Sequence, residues 1–244
     1  MQVLAYSCLH YGKDYLSYAV RSVYNLVDRF AVLYSPHPSH GHKSVRPCPD
    51  SRDELRAAAY SHNSDGKVEW YDGDWWREGD HRMAVMEVWK GEDLILPVDS
   101  DEVWDFQTLE TMLKFACENQ AHDYLLSSFV HLWRSFGWAC TDQMAPVRLI
   151  KPTGSGTMYL PKVGQVYHFG YAQRPETVRY KWSIHGHRNE LRPGWYEDVF
   201  SRWPERKSDL HPTCKDIWNA EPYDKGKMPS LLRKHPFFGL GVIA

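Results

Sequence analysis

Leu94-Ile95-Leu96-Pro97-Val98-Asp99-Ser100-Asp101-Glu102 is the stretch on which the fold turns: an unbroken apolar run that ends abruptly in acids. A short apolar run without polar alternation reads as a strand buried on both faces, and such strands belong to parallel sheets covered by helices. In open sheets of that kind ligands bind beyond the carboxyl ends of the strands, so residues 99–102 stand where a site is expected.

Working outward, the flanks supply the alternation such a sheet requires. Residues 3–6 read as a first strand, 7–14 as a polar turn, and Leu16, Ala19, Val20, Val23 and Val27 as the buried stripe of a helix. Residues 30–34 give a second strand, and the Pro-, Ser-, His- and Gly-rich segment 35–49 is a long loop of the kind that often carries function. Ser51-x-x-Glu54 is a capping box opening a helix with Leu55, Ala58 and Ala59, followed by a third strand at 68–71. A helix over 82–89 leads into the acidic stretch, and Leu109, Met112, Leu113 and Ala116 form a helical stripe after it. Beyond residue 105 the rhythm fades into short strands at 125–133, 147–150 and 157–160. These are expected as a sheet edge, acceptor-side loops and a tail. The expectation is one α/β domain over 1–244, with a nucleotide-binding half at 1–104 and an irregular half at 105–244.

A net charge of −2 over 244 residues excludes nucleic-acid binding by bulk charge, though not by a local surface. No apolar stretch is long enough to span a bilayer and the start lacks the basic and apolar regions of a signal peptide, so a cytoplasmic protein without membrane attachment is expected. Five cysteines without a C-x-x-C pair indicate neither a disulfide framework nor a zinc knuckle. Aromatic residues reach 14%, including 11 Trp; they suit sugar and base faces, but filling the core is the commoner use.

On an extended segment residues two apart point the same way, so Asp99 and Asp101 are expected to converge, and carboxylates that close repel unless a cation or proton is shared. Mn²⁺ or Mg²⁺ fits, because either ion takes oxygen ligands and leaves positions for water and substrate phosphates. The plainer alternative has Asp101 or Asp105 capping the helix that begins near Phe106.

In this combination the chain resembles the GT-A glycosyltransferases, particularly the compact family-2-like enzymes. The likeness covers the strand–helix order of the first half, including Tyr11-Gly12-Lys13-Asp14-Tyr15-Leu16 and Arg82 with Ala84. It resumes at Tyr167-His168-Phe169-Gly170-Tyr171, similar to an H-[FY]-G-Y segment, and at Lys181 and Arg188-Asn189. The resemblance implies a Rossmann-like, mainly parallel sheet flanked by helices. It further implies that Asp101, assisted by Asp99, binds a divalent metal with His168 as a ligand from the far side; His185 and His187 are rivals for that role. It places Tyr6, Ser7 and Cys8 against the nucleotide base and Asp72 or Asp74 on base or ribose. Ser100 belongs to the donor-binding motif, and Arg82 and Lys181 are candidates for phosphate or donor-sugar contacts. The expected donor is a uridine diphosphate sugar and the expected outcome is inversion, for which a general base is needed. No clear E-D pair stands in the second half, and Asp142, following the presumed acceptor segment 129–133, is the candidate base.

Between residues 174 and 192 lie Arg174, Arg179, Lys181, Arg188 and Arg192 against Glu176 and Glu190, a locally basic stretch suited to a phosphate backbone. With a general likeness to glycosyltransferases carried by bacteriophages, this puts a 5-hydroxymethylpyrimidine in phage DNA first among acceptors, in the host cytoplasm; surface polysaccharide and protein are the alternatives. The rival classes are a nucleotidyltransferase, which would normally bring a Gly-rich phosphate loop where residues 7–14 hold only Gly12, and an aromatic-rich carbohydrate- or nucleic-acid-binding module.

Overall fold

The structure, a computed structural model, describes residues 1–119, 123–141, 145–154, 158–159 and 165–244. Strands β1 (Val3–Leu9), β2 (Arg29–Tyr34), β3 (Val68–Asp72) and β4 (Leu94–Pro97) run parallel in the order β3-β2-β1-β4. They are joined by α1 (Lys13–Val23), α2 (Arg52–Tyr60), and the pair α3 (Glu78–Met83) and α4 (Val85–Val88). α1 buries Tyr15, Leu16, Ala19, Val20 and Val23, the face its apolar spacing dictates. α2 begins with both halves of the Ser51–Glu54 capping box formed. The helix expected from residue 82 starts at Glu78, whose acidic first turn suits the positive helix end.

The acidic stretch is followed by β5 (Glu102–Trp104) and α5 (Phe106–Glu118). Asp105, and not Asp101, caps α5 by accepting from Thr108 N at 3.0 Å. The first sheet is completed by β6 (Tyr124–Leu126), β9 (Val147–Ile150) and β10 (Met158–Tyr159) in the order β10-β6-β9-β4-β1-β2-β3. Among the described strands only β9 runs against the others, so the sheet is mainly parallel, as expected.

The second half holds more regular structure than its sequence indicated. β5 joins β7 (Ser128–Trp133), β8 (Trp138–Thr141), β11 (Gln165–Tyr171) and β12 (Ala220–Pro222) in a second sheet of order β12-β8-β7-β11-β5. The apolar run 125–133 is two strands, divided at the buried Ser127, and it carries the chain from one sheet to the other. α6 (Pro175–Ser183) and α7 (Trp195–Asp198) follow β11.

The aromatic excess goes largely into the core. Trp133, Trp195, Phe200, Trp203 and Trp218 pack in one buried cluster beside the second sheet, and Tyr15, Phe136 and Phe169 stack in another. Indoles so enclosed are not free platforms, which removes most of the basis for a binding module built on stacking. Among the described residues no helix is long and apolar enough to cross a membrane.

Candidate active site

β1 and β4 pair side by side, with Val98 N donating to Tyr6 O at 2.8 Å, so the segments after them emerge at one sheet edge. The acidic residues do not continue as an extended strand. They form a tight turn in which Glu102 N donates to Asp99 O at 3.0 Å. This turn is the junction between the sheets, because Glu102 begins β5. It is held against the β1–α1 connection: Ser100 Oγ donates to Tyr11 O at 3.1 Å, and Gly12, at φ 109°, lies so close that a Cβ there would overlap Ser100 Oγ.

Register then dictates which side chains meet. β5 pairs with β11 and β11 with β7 so that Glu102, His168 and His131 stand in one row across the second sheet. His168 Nδ1 lies 2.8 Å from His131 Nδ1, and Phe129 stacks parallel to the His168 ring at 5.4 Å between centroids. Burial pushes the His168 imidazole down to about 3, outweighing nearby Asp101, so the ring is neutral. Gly170 leaves room for this arrangement, since a Cβ would overlap His168 and come within 2.6 Å of Lys181 Nζ.

The two aspartates face different partners. Asp99 is 3.0 Å from Arg148 Nη2 and 3.6 Å from Arg82 Nη1. Burial raises its carboxyl, but Arg148 and Arg82 together hold it at about 2. Asp101 Oδ2 accepts from Lys181 Nζ at 3.1 Å and from Gln173 Nε2 at 3.3 Å, while Oδ1 stands 3.7 Å from His168 Nε2. Burial raises Asp101 too, and Lys181 with His168 overcomes it, leaving the carboxyl below its ordinary value. Glu102 is fully buried and gripped through both oxygens by Arg148. Burial drives Glu102 up to about 8, because the one guanidinium facing it is shared with Asp99.

A cleft of ≈ 230 Å³ opens between this turn, the ends of β1 and the 35–49 loop, and it collects Asp99, Ser100, Asp101, Arg82, His168 and Lys181. Other expected positions fall outside it. Of Tyr6, Ser7 and Cys8 only Cys8 reaches the cleft, because β1 runs on to Leu9 and keeps Tyr6 and Ser7 buried inside the strand. Burial pushes the Cys8 thiol up to about 12, so it is not a nucleophile. Asp72 ends β3 but forms a bidentate pair with Arg52, and Asp74 pairs with His37 at 2.5 Å. His185 Nδ1 accepts from His187 N at 3.1 Å, and neither ring lines the cleft. Asp142 lies outside the described residues. The residues that sequence reasoning did not single out are His10, Tyr11, His40 and Glu78 on the cleft wall, with Arg148 and His131 behind it. A charged or imidazole side chain inside an apolar strand, as in 129–133 and 147–150, was the available signal for the last two.

The repulsion that pointed to a shared cation is relieved by Arg82, Arg148 and Lys181, so it does not by itself require a metal. The donor set nevertheless fits one. A neutral imidazole whose Nδ1 faces His131 can present a bare Nε2, and Nε2 and Asp101 Oδ1 then face each other across 3.7 Å. Among the described residues no three His, Cys, Asp or Glu side chains converge on a ready-made cage, so remaining ligands would have to come from substrate and water. Asp99, turned to its arginines, is not placed as a direct ligand.

Neither a protein-family model nor a curated protein sequence matches the chain. Solved structures are similar at low identity. TarS from S. aureus matches 75% of this chain and 39% of its own, at 12% identity and a TM-score of 0.45. Its 1–349 fragment matches with the same identity and score over 64% of that chain. The mannosyltransferase PcManGT from Pyrobaculum calidifontis, in complex with GDP-Man and Mn²⁺, matches 77% of this chain and 64% of its own, at 10% identity and a TM-score of 0.49. The chain thus spans between 39% and 64% of the length of the structures it is similar to.

Proposed function

We propose that the protein transfers a sugar from a nucleoside diphosphate sugar, with uridine diphosphate as the first donor to test, to a hydroxyl acceptor in the cleft. The observation that carries this reading is the pairing of Asp101 Oδ1 with a neutral His168 Nε2 at the carboxyl edge of β4, with Lys181 and Arg82 on either side. Asp101 and His168 would hold Mn²⁺ or Mg²⁺, which when bound supplies positive charge to the departing diphosphate. Lys181 and Arg82 are cations at the same wall, free to exchange a carboxylate for a phosphate oxygen without crossing the cleft. Arg148 keeps Asp99 ionised and ties the acidic turn to β9, so the site is shaped before substrate arrives.

The nucleotidyltransferase alternative wants an open helix N-terminus for phosphate. At α1 that position is taken by the chain's own Asp50, which accepts from Gly12 N at 2.7 Å and Lys13 N at 3.1 Å. For the acceptor, a hydroxymethylated pyrimidine in DNA remains the first candidate, with saccharide and protein hydroxyls behind it. Asp142 remains the base to test, as the acid following β8.

The experiment is incubation with a panel of sugar nucleotides and Mn²⁺, reading nucleoside diphosphate release. Release that disappears with excess chelator and with Asp101→Asn is expected. Pyrophosphate release would favour the nucleotidyltransferase, and full activity in chelator would remove the metal.

A further inference from the structure

α6 faces two concavities. It gives Lys181 to the cleft, and it gives Arg179 and Trp182 to a groove of ≈ 440 Å³. The 35–49 loop is shared in the same way, with Ser39 and His40 in the cleft and Lys43 and Arg46 in the groove. Ser44 Oγ and Ser183 Oγ, 2.9 Å apart, fasten the loop to the helix.

The charges lining the groove are lopsided: Lys43, Arg46, Arg179, Arg188 and Arg192 against Glu197. Arg192 is committed to Asp209 at 2.6 Å, and Arg179 stands 3.8 Å from Glu197. Lys43, Arg46 and Arg188 are exposed and have no carboxylate partner among the described residues. Arg174, the other cation of the basic stretch, is instead absorbed by Asp14 and Glu176. Arg179 lies over Tyr196, its Cζ 4.4 Å from the ring centroid and its Nε buried without an acceptor. A second concavity adjoins the groove through Arg46, Arg179 and Tyr196; it adds Glu176 and no further cation, so the cationic surface is the groove itself.

Unneutralised like charges gathered in one groove of a chain with net charge −2 favour an anionic ligand there, and planar guanidiniums match phosphate oxygens in pairs. Lys43, Arg46 and Arg188, with Arg179 beside them, present more positive charge than a single phosphate neutralises, which suits a ligand with several phosphates. Trp182 lines the groove with one face stacked on Trp195, and the 40%-exposed Trp76 lies within cation–π distance of Lys43. We infer that this groove binds the phosphodiester backbone of a nucleic-acid strand, through Lys43, Arg46, Arg179 and Arg188, and leads it past the cleft. The inference rests on the reading of the cleft as a transferase site only for its consequence, acceptor delivery. Binding itself is independent of that reading.

The test is fluorescence anisotropy of a labelled single-stranded oligodeoxynucleotide at two salt concentrations, without sugar nucleotide, against unlabelled polyphosphate and neutral dextran as competitors. Wild type is expected to bind, with polyphosphate competing less well than unlabelled DNA and dextran not at all. Arg46→Glu with Arg188→Glu should weaken binding at least about tenfold, and the salt slope should fall by about 0.7 for each phosphate that the variant no longer neutralises. Nucleoside diphosphate release by the same variant should be unchanged, since neither residue lines the cleft. Absence of DNA binding, binding indifferent to both substitutions, or polyphosphate competing as well as DNA overturns the inference. Failure of diphosphate release in wild type bears on the cleft alone.

Discussion

The two sheets treat polar side chains in opposite ways. The interior of the first is largely apolar, with Leu4, Ala5, Phe30, Val32 and Leu96 fully buried, and charged groups such as Arg29 and Glu69 sit at its rim, Arg148 on β9 being a buried exception. The second buries Glu102 and His131 within its strands, sets His168 between them on β11, and packs its remaining volume with rings. The first is thus a scaffold that any well-patterned sequence can build, whereas the second places groups whose burial is costly unless each meets a partner. Arg148, on β9 of the first sheet, donates to both oxygens of Glu102 on β5 of the second, so polar contacts fasten the seam between them.

If the chemistry resides on the seam and the scaffold only supports it, substitutions separate the two. Asp101→Asn should lower turnover on the order of 10³-fold with little change in melting temperature; a variant that unfolds instead would make Asp101 a structural residue. Gly170→Ala, which pushes on His168 and Lys181, should cost about 10²-fold in kcat while circular dichroism stays native. Arg148→Met removes one partner of a buried pair and should destabilise by about 3–5 kcal/mol in urea unfolding. Leu96→Ala in the first sheet should cost about 2–5 kcal/mol and, beyond that, leave metal affinity unchanged; a large loss of affinity would blur the division. The smallest effect concerns the rim. Glu69 is held at about 2 chiefly by its hydrogen bond to Arg29, below its ordinary 4.5. A depressed carboxyl contributes stability above the unfolded value and loses it as pH falls through the folded one. Between pH 4.5 and 2 wild type should therefore lose about 1 kcal/mol more than Glu69→Gln, after allowing for solvent screening.

Legibility followed the same division. β1, β2 and β4 were readable because burial on both faces leaves continuous apolar runs, β3 from its place in the strand–helix alternation, and α2 because its capping box is written in four residues. The second sheet was not, since its strands are short, rich in aromatic and polar residues, and paired over long separations such as His131 with His168. The acidic turn and His168, singled out by position and motif, line one cleft. Arg148 and His131 were missed because their meaning comes from partners in distant segments; at Asp99 a hydrogen-bonded turn stands where extended backbone was expected, and the residue lines the cleft with Asp101 while pairing with Arg148.

The hold of Ser100 on Tyr11 and Gly12 has a mechanical consequence. The floor of the cleft and the wall after β1 are joined into one body, while the opposite side, with Pro38 and His40, is carried by the long loop that Ser44 ties to α6. That loop also carries Lys43 and Arg46, so the cleft and the groove have one wall in common.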